Sequence, residues 1–238
     1  MSSTVLKRFD LTPSGDAHTF GGECIQAAAA IDRIYRTLTY DHRPWLDSHE
    51  ENLDAKRTEE YRIGYACFKY AVARVLCPHR IVEIGVGSGV AAIAFAMADN
   101  HAHTLSDGAH YIGLDSGEWE DRLGHNFLKA VDDKLNALQV EHQLVRGDSR
   151  DVDCLPECDL VHVDGDHSME AVRHDVAIAW KSGAKWILCD DARDPAVVAG
   201  TFQALSLDLN RGCVEWAYFG DSWTGNLLIR TDHRKKEE

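Results

Sequence analysis

The sequence specifies an α/β domain: a doubly wound, seven-stranded sheet, mostly parallel, ending in a C-terminal antiparallel hairpin and preceded by N-terminal helices. Three observations predict it. From residue 80 onward, short apolar runs alternate with amphipathic stretches, the rhythm of a parallel sheet with helices on both faces. The first such run ends in a glycine-rich turn that opens into an apolar helix. The last two runs are separated only by Gly220-Asp221 and their neighbours, so they pair as a hairpin.

Taken in order, residues 1–17 are polar, contain Pro13 and Gly15, and read as a terminus or lid. Residues 22–38 are Ala-rich and helical in pattern, and 41–56 read as a loop or short helix. Residues 57–76 predict a long helix with Glu59 and Glu60 in its first turn, where the helix dipole favours acids. Residues 1–78 thus form an N-terminal helical segment serving as lid, acceptor-binding or oligomerisation element, and 79–238 form the ligand-binding domain. The predicted strands are 81–84, 110–114, 140–145, 159–163, 186–189, 213–219 and 225–230. In 121–138, Leu123, Phe127, Leu128, Val131, Leu135 and Leu138 fall on one helical face; in 168–181, Met169, Val172, Val176 and Trp180 do so.

A formal net charge of -14 and a pI near 5.3 disfavour nucleic acid and anionic membrane surfaces as partners. No run approaches the ~20 apolar residues of a membrane helix, and MSSTVLKRFDLTPSGD lacks the apolar core of a signal peptide. A cytoplasmic protein with reduced thiols is the expectation for its seven scattered cysteines. Cys154 and Cys158 lack a second Cys/His pair at zinc spacing and read as structural. The Ala-rich face of 22–38 can pack on a second copy, as a homodimer, or on its own domain.

Strand 81–84 runs into Gly85-Val86-Gly87-Ser88-Gly89. Such a turn lets a ligand approach the backbone and aims free helix amides at an anion or carboxylate. A dinucleotide fingerprint would need glycine where Val90 stands, which weakens an NAD-dependent reading. The run E-I-G-x-G-S-G, beginning at Glu83, resembles the first motif of class I S-adenosylmethionine (SAM)-dependent methyltransferases, a Rossmann-like family. The resemblance implies that Glu83, Gly85, Gly87 and Gly89 build the SAM loop. Asp115, ending the next strand, can accept both ribose hydroxyls, and Asp148, with Ser149, falls where the family meets adenine. Each acid taken alone can equally be a turn residue or helix cap.

D-L-V-H-V-D-G-D-H-S ends the fourth strand and W-I-L-C-D-D the fifth. If these strands are neighbours their ends lie about 5 Å apart. Asp164, Asp190 and Asp191 would then crowd together, and carboxylates that close must be protonated, paired with cations or bound to metal. The pattern is similar to that of the cation-dependent small-molecule O-methyltransferases, of the catechol, caffeoyl-coenzyme-A and bacterial antibiotic-sugar types. That resemblance implies Mg²⁺ held by Asp164, Asp190 and Asp191, an oxygen-only set suited to a hard cation. It also makes Asp164 and His167 catalytic, His167 as general base with an unperturbed pKa near neutrality. Asp166 can instead cap the helix that follows.

The leading expectation is therefore SAM-dependent methyl transfer to a hydroxyl of a small acceptor in secondary metabolism, assisted by Mg²⁺. A second keeps SAM without metal. Tyr61, Tyr65, Phe68, Tyr70, Tyr35 and Tyr40 could cage a sulfonium or simply build core, and the reaction would be N- or C-methylation or cyclisation of SAM with release of methylthioadenosine. A non-catalytic SAM-binding scaffold is disfavoured by the intact loop and acids.

Overall fold

The computed structural model describes residues 18–20, 22–37, 55–102, 110–206, 214–220 and 224–231. Strands β1 (His18–Phe20), β2 (Arg80–Ile84), β3 (His110–Asp115), β4 (Glu141–Arg146), β5 (Leu160–Val163), β6 (Trp186–Cys189), β7 (Glu215–Phe219) and β8 (Asn226–Arg230) form one sheet of order β1-β7-β8-β6-β5-β2-β3-β4. The central pairs β6–β5, β5–β2, β2–β3 and β3–β4 are parallel, whereas β8 runs antiparallel to both β6 and β7. The seven expected strands are all present, and the last two do form an antiparallel pair.

Period-2 burial explains why the central strands lack polar alternation. Ile81, Leu160 and Leu188 face one core, with Phe68, Ala71 and Phe95 from the helices on that side. Val82, Val161 and Ile187 face another, with Val172, Val176 and Val198. Helices α1 (Gly22–Thr37), α2 (Ala55–Leu76) and α3 (Val90–Ala102) contribute to the first core. Helices α6 (Met169–Lys181) and α7 (Pro195–Ala204) cover the second. Ala28 and Ile31 of α1 share the first core with the sheet, so the N-terminal helices pack on the sheet itself. No helix among the described residues is long and apolar enough to cross a membrane.

Several expectations change. An eighth strand, β1, pairs antiparallel with β7 and forms the edge of the sheet; its three residues are too few to display an alternation. α2 starts at Ala55, which moves Glu59 and Glu60 out of the first turn. The helix expected over 121–138 is two helices, α4 (Glu118–Leu123) and α5 (Phe127–Ala137), parted by Gly124 in a left-handed conformation and by Asn126, whose side chain accepts from the Lys129 amide. Leu123 is accordingly exposed rather than on a common apolar face. α7 escaped the periodicity reading; it buries Val197, Val198, Gly200 and Thr201, and its signal is Asp194-Pro195, an N-cap followed by a helix-starting proline. Residues 1–17 and most of 41–56 lie outside the described residues. Cys154 and Cys158 are free thiols, the former exposed and the latter buried.

The break before α5 gives a direct test. Asn126→Ala should lower stability by about 1 kcal/mol through loss of the cap, read as a lower urea midpoint with an unchanged slope. An unchanged midpoint would show that α5 does not depend on that cap.

Candidate active site

The carboxyl ends of β6, β5, β2 and β3 stand side by side, and every sequence-predicted site residue except Asp148 and Ser149, which follow β4, lies on or beside them. β2 ends in the glycine turn. A Cβ at Gly85 would lie 2.0 Å from the Asp164 carbonyl oxygen, so this position must be glycine for the β2 and β5 ends to meet. A Cβ at Gly89 would strike Val131 of α5. Gly87 differs: no atom lies within 4 Å of where its Cβ would be, so its side of the turn faces open space. Its amide donates to Asp115 Oδ2 at 2.8 Å, and the Gly117 amide donates to Asp115 Oδ1 at 2.7 Å. Each oxygen retains a further acceptor position.

Glu83 does not reach that space. It is buried in the sheet, accepts from the Tyr111 hydroxyl, and lies 3.2 Å from His162 Nδ1. Burial pushes the Glu83 carboxyl well up, opposed by the Tyr111 hydrogen bond, and keeps His162 well below its ordinary value, aided by the charge of Lys69. Asp148 fulfils its capping alternative: it caps the short 3-10 turn Ser149–Asp151 and is gripped by the Arg150 guanidinium, which holds its carboxyl down at about 2. Ser149 offers its carbonyl to His174. Asp166 accepts from the Ser168 amide, while the cap of α6 is Ser168 itself, whose hydroxyl accepts from the Ala171 amide.

β5 and β6 are neighbours, with Val163 opposite Cys189, so the three aspartates do converge. Of the three ways to relieve them, the structure uses cation pairing. The Lys69 ammonium, from α2, lies 3.1 Å from Asp190 Oδ2, with both side chains fully buried. Asp190 Oδ1 accepts from the Thr224 hydroxyl and, at 2.7 Å, from the Asp191 amide. His167 Nε2 lies 3.2 Å from Asp191 Oδ2 and 3.7 Å from Asp164 Oδ1. The Tyr65 hydroxyl donates to Asp164 Oδ2 at 2.5 Å. Exposure rises outward, from Lys69 and Asp190 at 0% through Asp164 at 19% and Asp191 at 30% to His167 at 44%.

This geometry bears on two expectations. The neighbouring carboxylates of Asp164, Asp191 and Asp190 raise His167 to about 9 against the opposing effect of burial, which disfavours it as a base at neutral pH. Burial, then Asp190 and Asp164, raises Asp191 to about 6. The three-aspartate metal set does not fit either, because Asp190 is enclosed and engaged by an ammonium, a hydroxyl and an amide. Asp164, His167 and Asp191 do bring ligand atoms within 4.8 Å of one another, with His167 the most exposed of the three. A second group, Glu83, His162 and Asp164, is equally close, with Glu83 already held by Tyr111.

The aromatic residues divide. Phe68 packs edge-on to Phe219 and Tyr35 in the core, and Tyr70 packs against it. The Tyr65 ring already carries a cation, the Lys69 ammonium at 4.7 Å. Tyr40 and the Tyr61 side chain lie outside the described residues. Sequence reasoning missed Lys69, Asn226 and Thr224; a lysine in an otherwise apolar helical stretch, F-K-Y-A-V, was the available signal for the first.

A glycine turn opposite a strand-end acid, on a sheet of this order with β8 reversed between β6 and β7, defines a class I SAM-dependent methyltransferase fold. Residues 82–192 match the family described as a methyltransferase domain. The fold is shared with the S-adenosylhomocysteine-bound methyltransferase PaMTH1 of Podospora anserina (17% identity, TM-score 0.52, 97% of each chain). It is also shared with an O-methyltransferase from Bacillus cereus in complex with S-adenosylhomocysteine (12%, 0.50, 97% of each chain). A methyltransferase from Geobacter sulfurreducens is likewise similar (17%, 0.50, 97% of this chain and 96% of that one). No curated protein matches the sequence.

The imidazolium predicts a pH dependence of stability. His167 rises from 6.5 to about 9 on folding, so its contribution is full below pH 6.5 and is lost as pH climbs through 9. The melting temperature should therefore fall over that window more steeply in the wild type than in His167→Gln. Equal slopes would mean that the His167 contacts do not form in solution.

Proposed function

We propose that this protein transfers the methyl group of SAM to a hydroxyl of a small acceptor, with the reaction centred between the glycine turn and the Asp164–His167–Asp191 cluster. The observation that carries this reading is the open space beside Gly87, bordered by Asp115 and one strand away from the cluster. SAM, when bound, supplies an electrophilic methyl carbon. Asp115 takes the ribose hydroxyls, and the free amides at the start of α3 favour the carboxylate of the amino-acid end. Gly85 and Gly89 keep the turn close-packed, while Glu83 braces it from within the sheet. Asp148 and Ser149 line the adenine end through the cap they form.

Proton removal falls to Asp191. A carboxylate raised to about 6 is ionised at neutral pH yet basic enough to accept a hydroxyl proton in the transition state. The His167 imidazolium keeps Asp164 and Asp191 ionised and faces the developing alkoxide charge, and Asp164, held by Tyr65, orients the ring. The Mg²⁺ assistance implied by resemblance has no place in this scheme, because its ligand set is not free. An acceptor from secondary metabolism and a cytoplasmic location accord with the acidic composition and the resemblance.

The occupied aspartate also favours a second, metal-free reading, in which the nucleophile is a nitrogen, a carbon or a part of SAM itself. Chromatography of the products distinguishes them. Methyl transfer yields S-adenosylhomocysteine, and cyclisation yields methylthioadenosine.

Two outcomes test the assignment. Asp115→Ala should weaken SAM binding by about 1–3 kcal/mol in calorimetry, and Gly87→Val should abolish binding in a folded protein; normal affinity in both would refute the loop. The rate should fall as pH drops through about 6 while Asp191 becomes protonated. Asp191→Asn should remove this acid limb and lower kcat by about 10²–10⁴-fold; an unchanged limb would place the base elsewhere.

A further inference from the structure

Helix α2 reaches both strand ends of the cluster with two residues one helical turn apart. Tyr65 donates to Asp164 after β5, and Lys69 engages Asp190 after β6. The Lys69 ammonium has three further constraints. It donates to Asn226 Oδ1 at 2.5 Å, it lies over the Tyr65 ring, and no part of its side chain is exposed. A lysine buried so completely is costly unless its charge is matched. Here the match is the carboxylate that the family resemblance gives to a metal.

We propose that Lys69 is the resident cation of this site: its ammonium takes the place of a divalent ion at Asp190, and its removal turns the two strand ends into a divalent-cation site. The methyltransferase reading enters only in saying what the cluster serves. Lys69 is a positioning residue. Its partner Asp190 fixes the Asp191 amide, and Asp191 stands at a φ of 48°, in the left-handed region a non-glycine residue enters only when held there. That backbone sets the Asp191 carboxylate opposite His167. Retaining the pair therefore fixes where the exposed acid of the site points.

The test reads cation binding directly. Mn²⁺ binding is followed by electron paramagnetic resonance, and thermal unfolding is measured with and without Mg²⁺, on the wild type, Lys69→Met and Lys69→Met/Asp190→Asn. The wild type should bind no Mn²⁺ and show no Mg²⁺-dependent shift. Lys69→Met should acquire Mn²⁺ binding and a higher melting temperature in Mg²⁺, and the double variant should lose both gains. A merely structural lysine would not produce a new ion site. If Lys69→Met fails to fold without a cation, Mg²⁺ should rescue it, and the double variant, free of the unmatched charge, should fold without Mg²⁺.

Wild-type Mn²⁺ binding that Asp190→Asn abolishes would overturn the proposal. So would a Lys69→Met protein that gains no ion affinity, or a double variant no more stable than Lys69→Met. In turnover assays EDTA should leave wild-type product formation unchanged. Lys69→Met without added ion should lose about 10²-fold in kcat through misplacement of the cluster. Absence of S-adenosylhomocysteine from every variant would sink the methyltransferase reading while leaving the cation measurements to stand or fall alone.

Discussion

The ion pair between Lys69 and Asp190 is the constraint on which the rest of the site depends. It joins an N-terminal helix to the end of the fifth parallel strand at a point with no access to water. Removing both ions from water costs several kcal/mol each, and a buried pair usually does no better than apolar residues of the same volume, whereas breaking one costs about 3–5 kcal/mol. Stability alone therefore does not account for this pair. Its position does: it underlies the surface from which Asp164, Asp191 and His167 project, and it fixes their charge balance.

From that base the site is built as one unit. Asn226 and Thr224, beside the reversed strand β8, close around Lys69 and Asp190. Ala192 and Arg193 donate backbone hydrogen bonds to Gly225 and Thr224, so the turn after β6 and the turn before β8 hold each other. Across β5, the Asp164 carbonyl leaves room only for glycine at position 85. The glycine turn and the acid cluster are thus in backbone contact, and a shift in one must be felt by the other. This is how a glycine turn and an acid cluster, about 80 residues apart in the chain, come to share one edge of the sheet.

The same packing reverses the chemistry expected of individual side chains. A histidine that would titrate near neutrality becomes a cation between two carboxylates, and an aspartate that would be a weak base is raised toward the working range. Deeper in the sheet, Glu83, Tyr111 and His162 form a second polar group whose ionisation is suppressed by burial. Burial together with neighbouring charges raises the outer acids; exclusion of water dominates at the inner group.

The seven strands, their mostly parallel sense, the glycine turn and the aspartates at strand ends were legible in the chain, because each depends on local pattern; the convergence of the acids waited on β5 and β6 being neighbours. Apolar runs of strand length, glycines where a backbone must pass closely, and aspartates directly after strands all state their role within a few residues. The place of Lys69 was not legible. Lys69 lies in a helix with no motif, and its partner is 121 positions away at Asp190. Nor could sequence tell that Asp148 is held by Arg150 while Asp191 faces His167. These distinctions are set by which charges share a water-free space, and only the packing of α2 against the strand ends determines that.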